Sequence, residues 1–369
     1  MQTHNIQFTE LNEHIRVLQP EILKAVGEVL ESTAFSGGSF VDRFEQEFAE
    51  YISSPYFVGV ASGSDALMLA LLALGIGPGD EVIVPANTFI ATAFAAMRIG
   101  AVPVFVDVDP ETWEIDPGSA ERAVTPRTKA IIGVHLFGQA FPVNEIAAIA
   151  EKHGLRLLED CAQAQGTLYY GKMAGTLSDA GCFSFYPTKN LGTCGQAGGI
   201  ALKDPAADEV VRILRSQGSK IQYHHEMLGY NMRLDSIQAA ILSVMLPHLK
   251  TWNEKRAAVI ERYRKEIVNP AFTFQKTLPY TEPAWYLAVV CVEDQKDFIE
   301  YMQKQGIYCG IHYPIPCHLQ KAVKHLNYHE GDLPNAEYQA SHCVSLPLYP
   351  ELSAADVDRV IEACSKYHQ

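Results

Sequence analysis

The 369-residue chain lacks the features that mark membrane, secreted and nucleic-acid-binding proteins. Its longest apolar run covers only residues 66–76, whereas a membrane helix needs about 20 residues. The polar N-terminal segment MQTHNIQFTELNEH has no basic stretch followed by an apolar one, as a secretion signal would. The formal net charge of −14 disfavours a nucleic-acid partner, because such a partner requires a basic face.

Cysteines are scattered, and the eight of them include no CxxC pair. This spacing argues against a disulfide framework and against a zinc knuckle. Hydrophobic residues make up 48% of the chain and charged residues 20%, so burial can offset the entropy lost on folding. We therefore expect a soluble, cytoplasmic protein with no nucleic-acid or membrane partner, and the length is typical of two domains.

Between residues 55 and 205, seven short β-rich runs alternate with helical patterns. The runs share near-continuous apolar character and lie at residues 56–61, 81–85, 102–108, 130–136, 155–159, 181–185 and 198–202. Apolar strands that alternate with helices are typical of a mostly parallel sheet covered on both faces. The sequence therefore predicts an α/β fold.

Beyond residue 235 the pattern changes. Apolar residues at helical spacing from Leu234 to Leu249, continuing to about Tyr263, predict one long amphipathic helix. The remainder shows a weaker α+β alternation. We expect a large α/β domain at residues 1–250, including an N-terminal helical segment, and a smaller α+β domain at residues 251–369.

Ligands of open α/β sheets bind outside the carboxyl ends of the strands, so the residues that follow each strand are the candidates. The first strand is followed by Ser62, Gly63, Ser64 and Asp65, whose backbone N–H groups at a helix N-terminus can hold a phosphate. The same residues also form an ordinary helix-capping box, which is the simpler explanation.

Three further strand ends carry candidates for chemistry. Phe89 follows the second strand and can stack on a planar ligand, or simply pack on the next helix. Asp160 comes directly after the fifth strand, where a buried carboxylate requires a partner such as a protonated ring nitrogen or an arginine. Lys189 follows the sixth strand and precedes a glycine-rich turn; a lysine partly withdrawn from water can form a Schiff base, although most lysines are solvated surface groups.

Taken together, these tracts resemble the DegT-type sugar aminotransferases. The resemblance rests on Asp160 with Gln163, on Ser184 with Lys189, and on the tract GYNMRLD at residues 229–235. It covers nearly the whole chain. It implies pyridoxal-phosphate fold type I, with a mostly parallel central sheet of seven strands covered by helices and a smaller α+β C-terminal domain.

The resemblance also implies roles for individual residues. Lys189 would hold pyridoxal 5′-phosphate covalently and move a proton, and Asp160 would pair with the pyridinium nitrogen. The remaining cofactor-binding residues would contact the ring or the phosphate: Phe89, Gln163, Gly63, Ser64, Asp65, Ser184 and Asn231. Asn231 would reach the phosphate of the neighbouring subunit, which implies a homodimer with shared active sites; alternatively, it caps the helix that follows.

By the same resemblance, the chain would transfer an amino group from L-glutamate to a keto sugar on a nucleoside diphosphate, in the biosynthesis of an amino sugar for surface polysaccharide or a glycosylated metabolite. Dehydratases of the family carry His at the position of Lys189, so lysine favours transamination. The tract GIHYPIPCHLQ at residues 310–320 is similar to that of members that aminate a 3-keto sugar linked to dTDP or UDP. A 4-keto sugar is the alternative.

Several polar side chains are candidates for contact with the sugar or the diphosphate. They are Tyr223, His224, Arg233, His312, Tyr313 and His318. Cations that would attract a dianionic substrate to a negatively charged protein are, besides Arg233, Arg215, Lys220 and Lys321. Hydrogen bonding within a proline-rich loop is the equally favoured alternative for the two histidines of the 310–320 tract. Neither has acidic or cysteine companions at ligand spacing, so we expect no metal site.

Two other functions compete with transamination. A pyridoxal-phosphate-binding regulatory protein would keep the cofactor without turnover. A dinucleotide-dependent oxidoreductase would need a glycine-rich turn after the first strand, which the segment at residues 62–65 does not supply.

Overall fold

The computed structural model describes residues 4–368, apart from the side chain of Asn12. The α-helices in this part of the chain are α1 (Asn12–Ser32), α2 (Ser39–Ile52), α3 (Gly63–Ala73), α4 (Ala91–Arg98), α5 (Pro117–Arg122), α6 (Val143–His153), α7 (Pro205–Arg215), α8 (Ser236–Met245), α9 (Leu249–Glu266), α10 (Gln295–Lys304), α11 (Pro334–His342) and α12 (Ala354–Lys366). The strands are β1 (Tyr56–Val60), β2 (Glu81–Pro85), β3 (Val102–Val106), β4 (Thr128–Val134), β5 (Arg156–Asp160), β6 (Leu168–Tyr169), β7 (Lys172–Met173), β8 (Ala180–Ser184), β9 (Gly198–Leu202), β10 (Ser219–Ile221), β11 (His224–His225), β12 (Thr273–Phe274), β13 (Thr281–Glu282), β14 (Ala288–Cys291) and β15 (Cys343–Leu346).

A seven-stranded sheet forms the centre of the fold, in the order β1-β9-β8-β5-β4-β2-β3. All its pairings are parallel except the two made by β9, which runs antiparallel to β1 and β8. The strands are apolar because helices pack against both faces of the sheet. The predicted α/β class and the mostly parallel sheet of seven strands are confirmed.

The predicted strands match the observed ones to within two residues at each end. The long helix predicted after residue 234 is interrupted, however. Helix α8 ends at Met245, a 3₁₀ turn spans Leu246–His248, and α9 begins at Leu249. Pro247 lies in this turn, and a proline cannot donate a backbone hydrogen bond within a helix. The expectation of one continuous helix is therefore wrong at this point.

A second hydrophobic core lies in the C-terminal part of the chain. It is built around Val290, Phe298, Val344 and Val360, and it includes Ile6 from the N-terminal segment. The antiparallel sheet β12-β14-β15 forms part of it. Helix α9 contributes to both regions, since Trp252 packs with the residues of α2 and α8, whereas Tyr263 packs in the second core. The division between residues 250 and 251 stays a prediction.

Within residues 4–368, no helix is long and apolar enough to cross a membrane.

Candidate active site

A cavity of about 490 Å³ opens at the carboxyl ends of the central strands. Its walls come from the segments that follow β1, β2, β5 and β8, together with residues of the C-terminal region. Nine residues predicted from the sequence line it: Gly63, Ser64, Phe89, Asp160, Gln163, Ser184, Lys189, His312 and Tyr313. Residues from distant parts of the sequence therefore meet at the carboxyl ends of the strands, where open α/β sheets bind their ligands.

Lys189 lies in the tight turn after β8. Its backbone N–H donates to the carbonyl of Tyr186 (2.9 Å), and the N–H of Thr193 donates to the carbonyl of Phe185 (2.9 Å), which closes the turn onto the strand end. The Nζ atom lies 4.4 Å from the centre of the Tyr286 ring, a distance at which a cation is attracted to an aromatic face. The amine is therefore held at the cavity wall.

Asp160 is the last residue of β5, and its side chain is buried in the cavity wall. Oδ2 accepts a hydrogen bond from the Thr92 hydroxyl (2.8 Å), and Oδ1 accepts one from the backbone N–H of Ala162 (3.1 Å). Burial raises the pKa of Asp160, although these bonds and the charge of Lys189 act in the opposite direction. A carboxylate in this position is stabilised when a cationic group binds beside it.

The N-terminus of α3 faces the cavity. Ser62 caps the helix, because its Oγ accepts a hydrogen bond from the backbone N–H of Asp65 (3.1 Å). A Cβ atom at Gly63 would lie 2.6 Å from Cβ of Ser184, so only glycine permits this close approach of α3 to the end of β8. The helix start and two serine hydroxyls, those of Ser64 and Ser184, form a cradle that suits an anion.

Asp65 itself does not line the cavity. Its carboxylate accepts a hydrogen bond from Ser62 Oγ (2.8 Å) and pairs with Arg98 (3.0 Å). The helix cap predicted at Ser62 is confirmed, although the Asp65 carboxylate bonds to the Ser62 hydroxyl and the reciprocal bond to the backbone of a full capping box is not shown. The backbone N–H and the carboxylate of Asp65 are therefore both engaged in the helix cap and the ion pair, and the cradle consists of the helix start at Gly63 with Ser64 and Ser184.

Gln163 and Tyr313 are connected to each other at the cavity wall. Gln163 Nε2 donates to the Tyr313 hydroxyl (3.1 Å), while its Oε1 accepts from the backbone N–H of Phe137 (2.7 Å). Burial raises the pKa of Tyr313, so its hydroxyl is protonated at neutral pH. Phe89 also lines the cavity, with its ring centre 5.7 Å from that of Tyr313, and the residue is 54% exposed. The walls of this cavity therefore present an aromatic ring and an amide to a planar ligand.

His312 lines the same cavity, and the peptide bond that joins it to Tyr313 is cis. Its Nδ1 lies 2.9 Å from the Ser345 hydroxyl. Burial, together with the positive charge of Lys189, lowers the pKa of His312 to about 4. His312 is therefore neutral at physiological pH.

Four predicted residues lie on the exposed surface and not in the cavity wall: Tyr223, His224, Asn231 and Arg233. Asn231 Oδ1 accepts a hydrogen bond from Arg233 Nη2 (2.9 Å). The alternative that Asn231 caps α8 is wrong, because Asp235 occupies the N-cap position of that helix.

His318 also lies away from the cavity. Its side chain is buried, and Nε2 pairs with Oε1 of Glu337 at 3.0 Å. Two of the proposed substrate-attracting cations are likewise engaged elsewhere in the chain, since Arg215 pairs with Glu45 and Lys220 with Glu209.

Several lining residues were not identified from the sequence. They include Tyr186, Thr188, Gln196 and Tyr286, and Thr92 holds Asp160. Thr188 precedes Lys189 directly, and Tyr186 and Gln196 flank the same turn, so proximity to the lysine could have indicated them. No local pattern marks Tyr286, which is brought in by the packing of the C-terminal region.

One group of buried side chains in the described residues has the spacing of metal ligands, namely His135, Glu159 and Cys161. Both carboxylate oxygens of Glu159 already accept hydrogen bonds. Oε2 accepts from His135 Nε2 (2.9 Å) and the Gly175 N–H, and Oε1 accepts from the Leu177 N–H (2.8 Å). Because both oxygens of this carboxylate already have donors, the group is best explained as a buried hydrogen-bond network.

The chain is similar to known proteins in both sequence and structure. The family model described as the DegT/DnrJ/EryC1/StrS aminotransferase family matches residues 17–365. A "pleiotropic regulatory protein" of Geobacillus stearothermophilus is 43% identical over 99% of each chain. A dTDP-3-amino-3,6-dideoxy-alpha-D-galactopyranose transaminase of Aneurinibacillus thermoaerophilus is 43% identical over 98% of this chain and 99% of its own. The crystal structure of NtdA from Bacillus subtilis with bound cofactor PMP superposes with a TM-score of 0.92 at 32% identity, covering 99% of this chain and 85% of that one.

Proposed function

The chain belongs to the DegT/DnrJ/EryC1/StrS aminotransferase family, and from this premise we propose that it is a pyridoxal-phosphate-dependent sugar-nucleotide aminotransferase. It moves an amino group from L-glutamate to a keto sugar on a nucleoside diphosphate. The observation that carries the proposal is the placement of Lys189 and the buried Asp160 in the wall of one cavity, beside an anion cradle.

The residues of the cavity fit pyridoxal 5′-phosphate. Burial raises the pKa of Asp160, so its carboxylate is stabilised by a cation such as the protonated ring nitrogen. The cradle formed by Gly63, Ser64 and Ser184 suits the phosphate, and the aromatic ring of Phe89 suits a face of the pyridine. The PMP bound in NtdA is the aminated form of the same cofactor, which supports the assignment.

Each residue then has a defined task. When bound, the cofactor withdraws electrons from the donor carbon that carries the amino group. Lys189 would hold the cofactor through Nζ, and once released its Nζ would take the proton from the donor carbon and give it up again later in the reaction. Asp160 keeps the ring nitrogen protonated, and its own position is maintained by Thr92 and the N–H of Ala162.

For the acceptor we propose a 3-keto sugar linked to dTDP or UDP. The relative from Aneurinibacillus is named for a dTDP-linked 3-amino sugar. Another relative, from Acidithiobacillus ferrooxidans, is named as a 3-aminotransferase of a UDP-linked 3-dehydro sugar. Within the 310–320 tract, His312 and Tyr313 line the cavity and are positioned to contact the sugar. His318 supports that tract through Glu337 and does not reach the cavity.

We further propose a homodimer in which Asn231 of each subunit reaches the cofactor phosphate of the other. Asn231 and Arg233 are exposed in the isolated chain, as are Tyr223 and His224 on the neighbouring hairpin of β10 and β11. Their exposure leaves them accessible to a second copy. The cytoplasm is the proposed location, and it is consistent with eight cysteines that are all free thiols.

A regulatory role is the second candidate function, because one relative is named a pleiotropic regulatory protein. The two functions differ in whether the amino nitrogen of L-glutamate is transferred to a sugar. Incubation with ¹⁵N-labelled L-glutamate and a panel of 3-keto and 4-keto sugars, each linked to dTDP or UDP, separates them. We expect ¹⁵N in a 3-amino sugar nucleotide by mass spectrometry, with none formed by Lys189→Ala. No labelled product from the panel, in a protein that binds the cofactor, would favour the regulatory role.

A further inference from the structure

A second, smaller cavity adjoins the candidate active site. It has a volume of about 130 Å³ and shares three lining residues with the larger one, Thr188, Tyr286 and His312. Its remaining walls come from the N-terminal segment, from α9 and from the C-terminal region: Phe8, Thr9, Arg256, Leu287 and Leu348. The ring of Tyr286 therefore faces Lys189 on one side and borders the smaller cavity as well.

Arg256 provides the smaller cavity with a buried cation. The residue is only 5% exposed. Both hydrogen bonds of its guanidinium come from Nη1, which donates to the carbonyls of Leu348 (3.1 Å) and Tyr286 (3.4 Å). Nε is buried without a hydrogen-bond partner. The guanidinium therefore has unused donor capacity in an interior position.

Arg256 forms no ion pair with any residue of the described chain. Burial lowers the pKa of Arg256 to about 10, although the Tyr286 hydroxyl and the carboxylate of Glu351 raise it slightly, so the group is still protonated at neutral pH. That carboxylate pairs with His14 at 3.4 Å. A buried charge without a counter-ion is costly, and buried charges are as a rule paired. The arrangement is that of a cation whose partner is a bound anion.

We propose that Arg256 binds a carboxylate of the amino-acid donor, in the smaller cavity beside Lys189. This inference rests on the proposed function and names a donor site within it. Thr188 and Tyr286 connect the cavity directly to the lysine at which the donor reacts. His312, which also lines the smaller cavity, is neutral at physiological pH and does not compete for the anion.

The size of the smaller cavity favours the carboxylate of the donor over the diphosphate of the acceptor as the bound anion. The smaller cavity, of about 130 Å³, has about a quarter of the volume of the larger one, of about 490 Å³. It suits a small anion such as a carboxylate better than a nucleoside diphosphate. The donor is therefore the substrate that fits, and the acceptor sugar nucleotide binds in the larger cavity.

The competing explanation is a purely structural arginine that ties α9 to the carbonyls of Tyr286 and Leu348. The two explanations differ in which half of the reaction depends on the guanidinium. A structural role predicts a loss of stability and an equal effect on both half-reactions. A donor site predicts an effect on the amino-acid half-reaction alone.

The test uses the holoenzyme with Arg256→Lys and Arg256→Met. L-glutamate conversion is followed by absorbance in single-turnover experiments, and reaction of the aminated enzyme with the keto-sugar nucleotide is followed separately. We expect the glutamate concentration for half-saturation to rise about 10- to 100-fold, as expected for loss of a charge-assisted hydrogen bond, while the sugar half-reaction changes less than twofold. L-glutamine lacks the side-chain carboxylate, and L-isoglutamine lacks the α-carboxylate. The analogue that lacks the carboxylate bound by Arg256 should react equally well with the wild type and the Arg256 variants, which identifies that carboxylate.

The matched control is Arg264→Lys, two turns further along α9. Arg264 is also a largely buried arginine with an unpartnered Nε, but it stacks on Trp285 at 4.8 Å and does not line the cavity. We expect the control to lower thermal stability without changing the glutamate concentration for half-saturation. Equal effects of all three substitutions on both half-reactions, or no effect of the Arg256 variants on glutamate, would overturn the proposal.

Binding of glutarate provides a readout that needs no turnover. Glutarate carries both carboxylates of glutamate and has no amino group to react. Calorimetry of the holoenzyme should give a dissociation constant that rises at least tenfold in Arg256→Lys and stays unchanged in Arg264→Lys. A wild-type protein that binds glutarate through Arg256 but does not convert glutamate would retain the site and refute the proposed function. Conversion of glutamate by a protein whose affinities for glutamate and glutarate do not change in the Arg256 variants would support the proposed function and refute the donor site.

Discussion

Replacing Gly63 with alanine would place a methyl carbon 2.6 Å from Cβ of Ser184 and 3.1 Å from its Cα. The Cα belongs to the backbone of β8, so rotation of a side chain cannot relieve the contact. Either the N-terminus of α3 or the end of β8 must shift by a few tenths of an ångström. Overpacking of this kind costs about 1–3 kcal/mol. We therefore expect the urea midpoint of the apoprotein to fall in Gly63→Ala.

The same shift should weaken cofactor binding, because the start of α3 is the proposed phosphate cradle. Lengthening one hydrogen bond to a charged phosphate removes about 1.5 kcal/mol, which corresponds to roughly a tenfold rise in the dissociation constant of pyridoxal phosphate. Titration of the apoprotein with pyridoxal phosphate, followed by absorbance, measures this constant. Ser184→Gly in the Gly63→Ala background removes the closest contact and should recover part of the stability.

Gly27→Ala is the matched control. Gly27 lies within α1, and a Cβ atom there would meet nothing within 4 Å. Alanine is favoured over glycine inside a helix by about 0.5–1 kcal/mol, so we expect a small gain in stability and an unchanged dissociation constant for the cofactor. If Gly63→Ala behaved like Gly27→Ala in both measurements, the close approach of α3 to β8 and its role as the cradle would be refuted.

Three further predictions concern other parts of the cavity and the assembly. Asp160→Asn should slow the glutamate half-reaction about 100-fold or more in single-turnover absorbance, without loss of apoprotein stability, because the amide replaces a buried charge; an unchanged rate would remove Asp160 from the reaction. Burial lowers the pKa of His312 to about 4, so between pH 6.5 and 4 the unfolded chain binds a proton that the folded one does not. The free energy of unfolding should therefore fall by about 3 kcal/mol as the pH drops through this window. Urea titrations at both ends of the window should show that this fall is missing in His312→Gln. The same pH dependence in His312→Gln and in the wild type would refute the prediction. Mixed dimers of Lys189→Ala and Asn231→Ala subunits should differ in cofactor affinity from either parent by calorimetry, and affinities equal to the average of the parents would contradict shared active sites.

The sequence predicted those features that local patterns determine. Apolar runs located the seven strands to within two residues, and the residues after them include Asp160 and Lys189, which line the cavity. Ser62 and Asp65 form the predicted cap because the required atoms lie three residues apart on one helix turn. The helix break at Pro247 was missed because apolar spacing continues through it.

Features that depend on packing between distant segments were not predictable in this way. Tyr286 enters the cavity wall from the C-terminal region, and nothing in its neighbouring residues distinguishes it from a core tyrosine. His318 lies only five residues from Tyr313, yet its side chain turns to Glu337 and leaves the cavity. Arg256 lies on an amphipathic helix whose periodicity places it in the interior but does not indicate that its guanidinium lacks an acidic partner.

The central claim is that Lys189 binds pyridoxal phosphate and that L-glutamate aminates it. The most direct measurement is the absorption spectrum of the purified protein loaded with pyridoxal phosphate, recorded before and after addition of L-glutamate, with Lys189→Ala as the control. We predict a visible band that is converted to a near-ultraviolet band by glutamate, and neither the initial band nor its conversion in Lys189→Ala. A wild-type protein that stays colourless with added cofactor, or a visible band that glutamate does not change, would contradict the account.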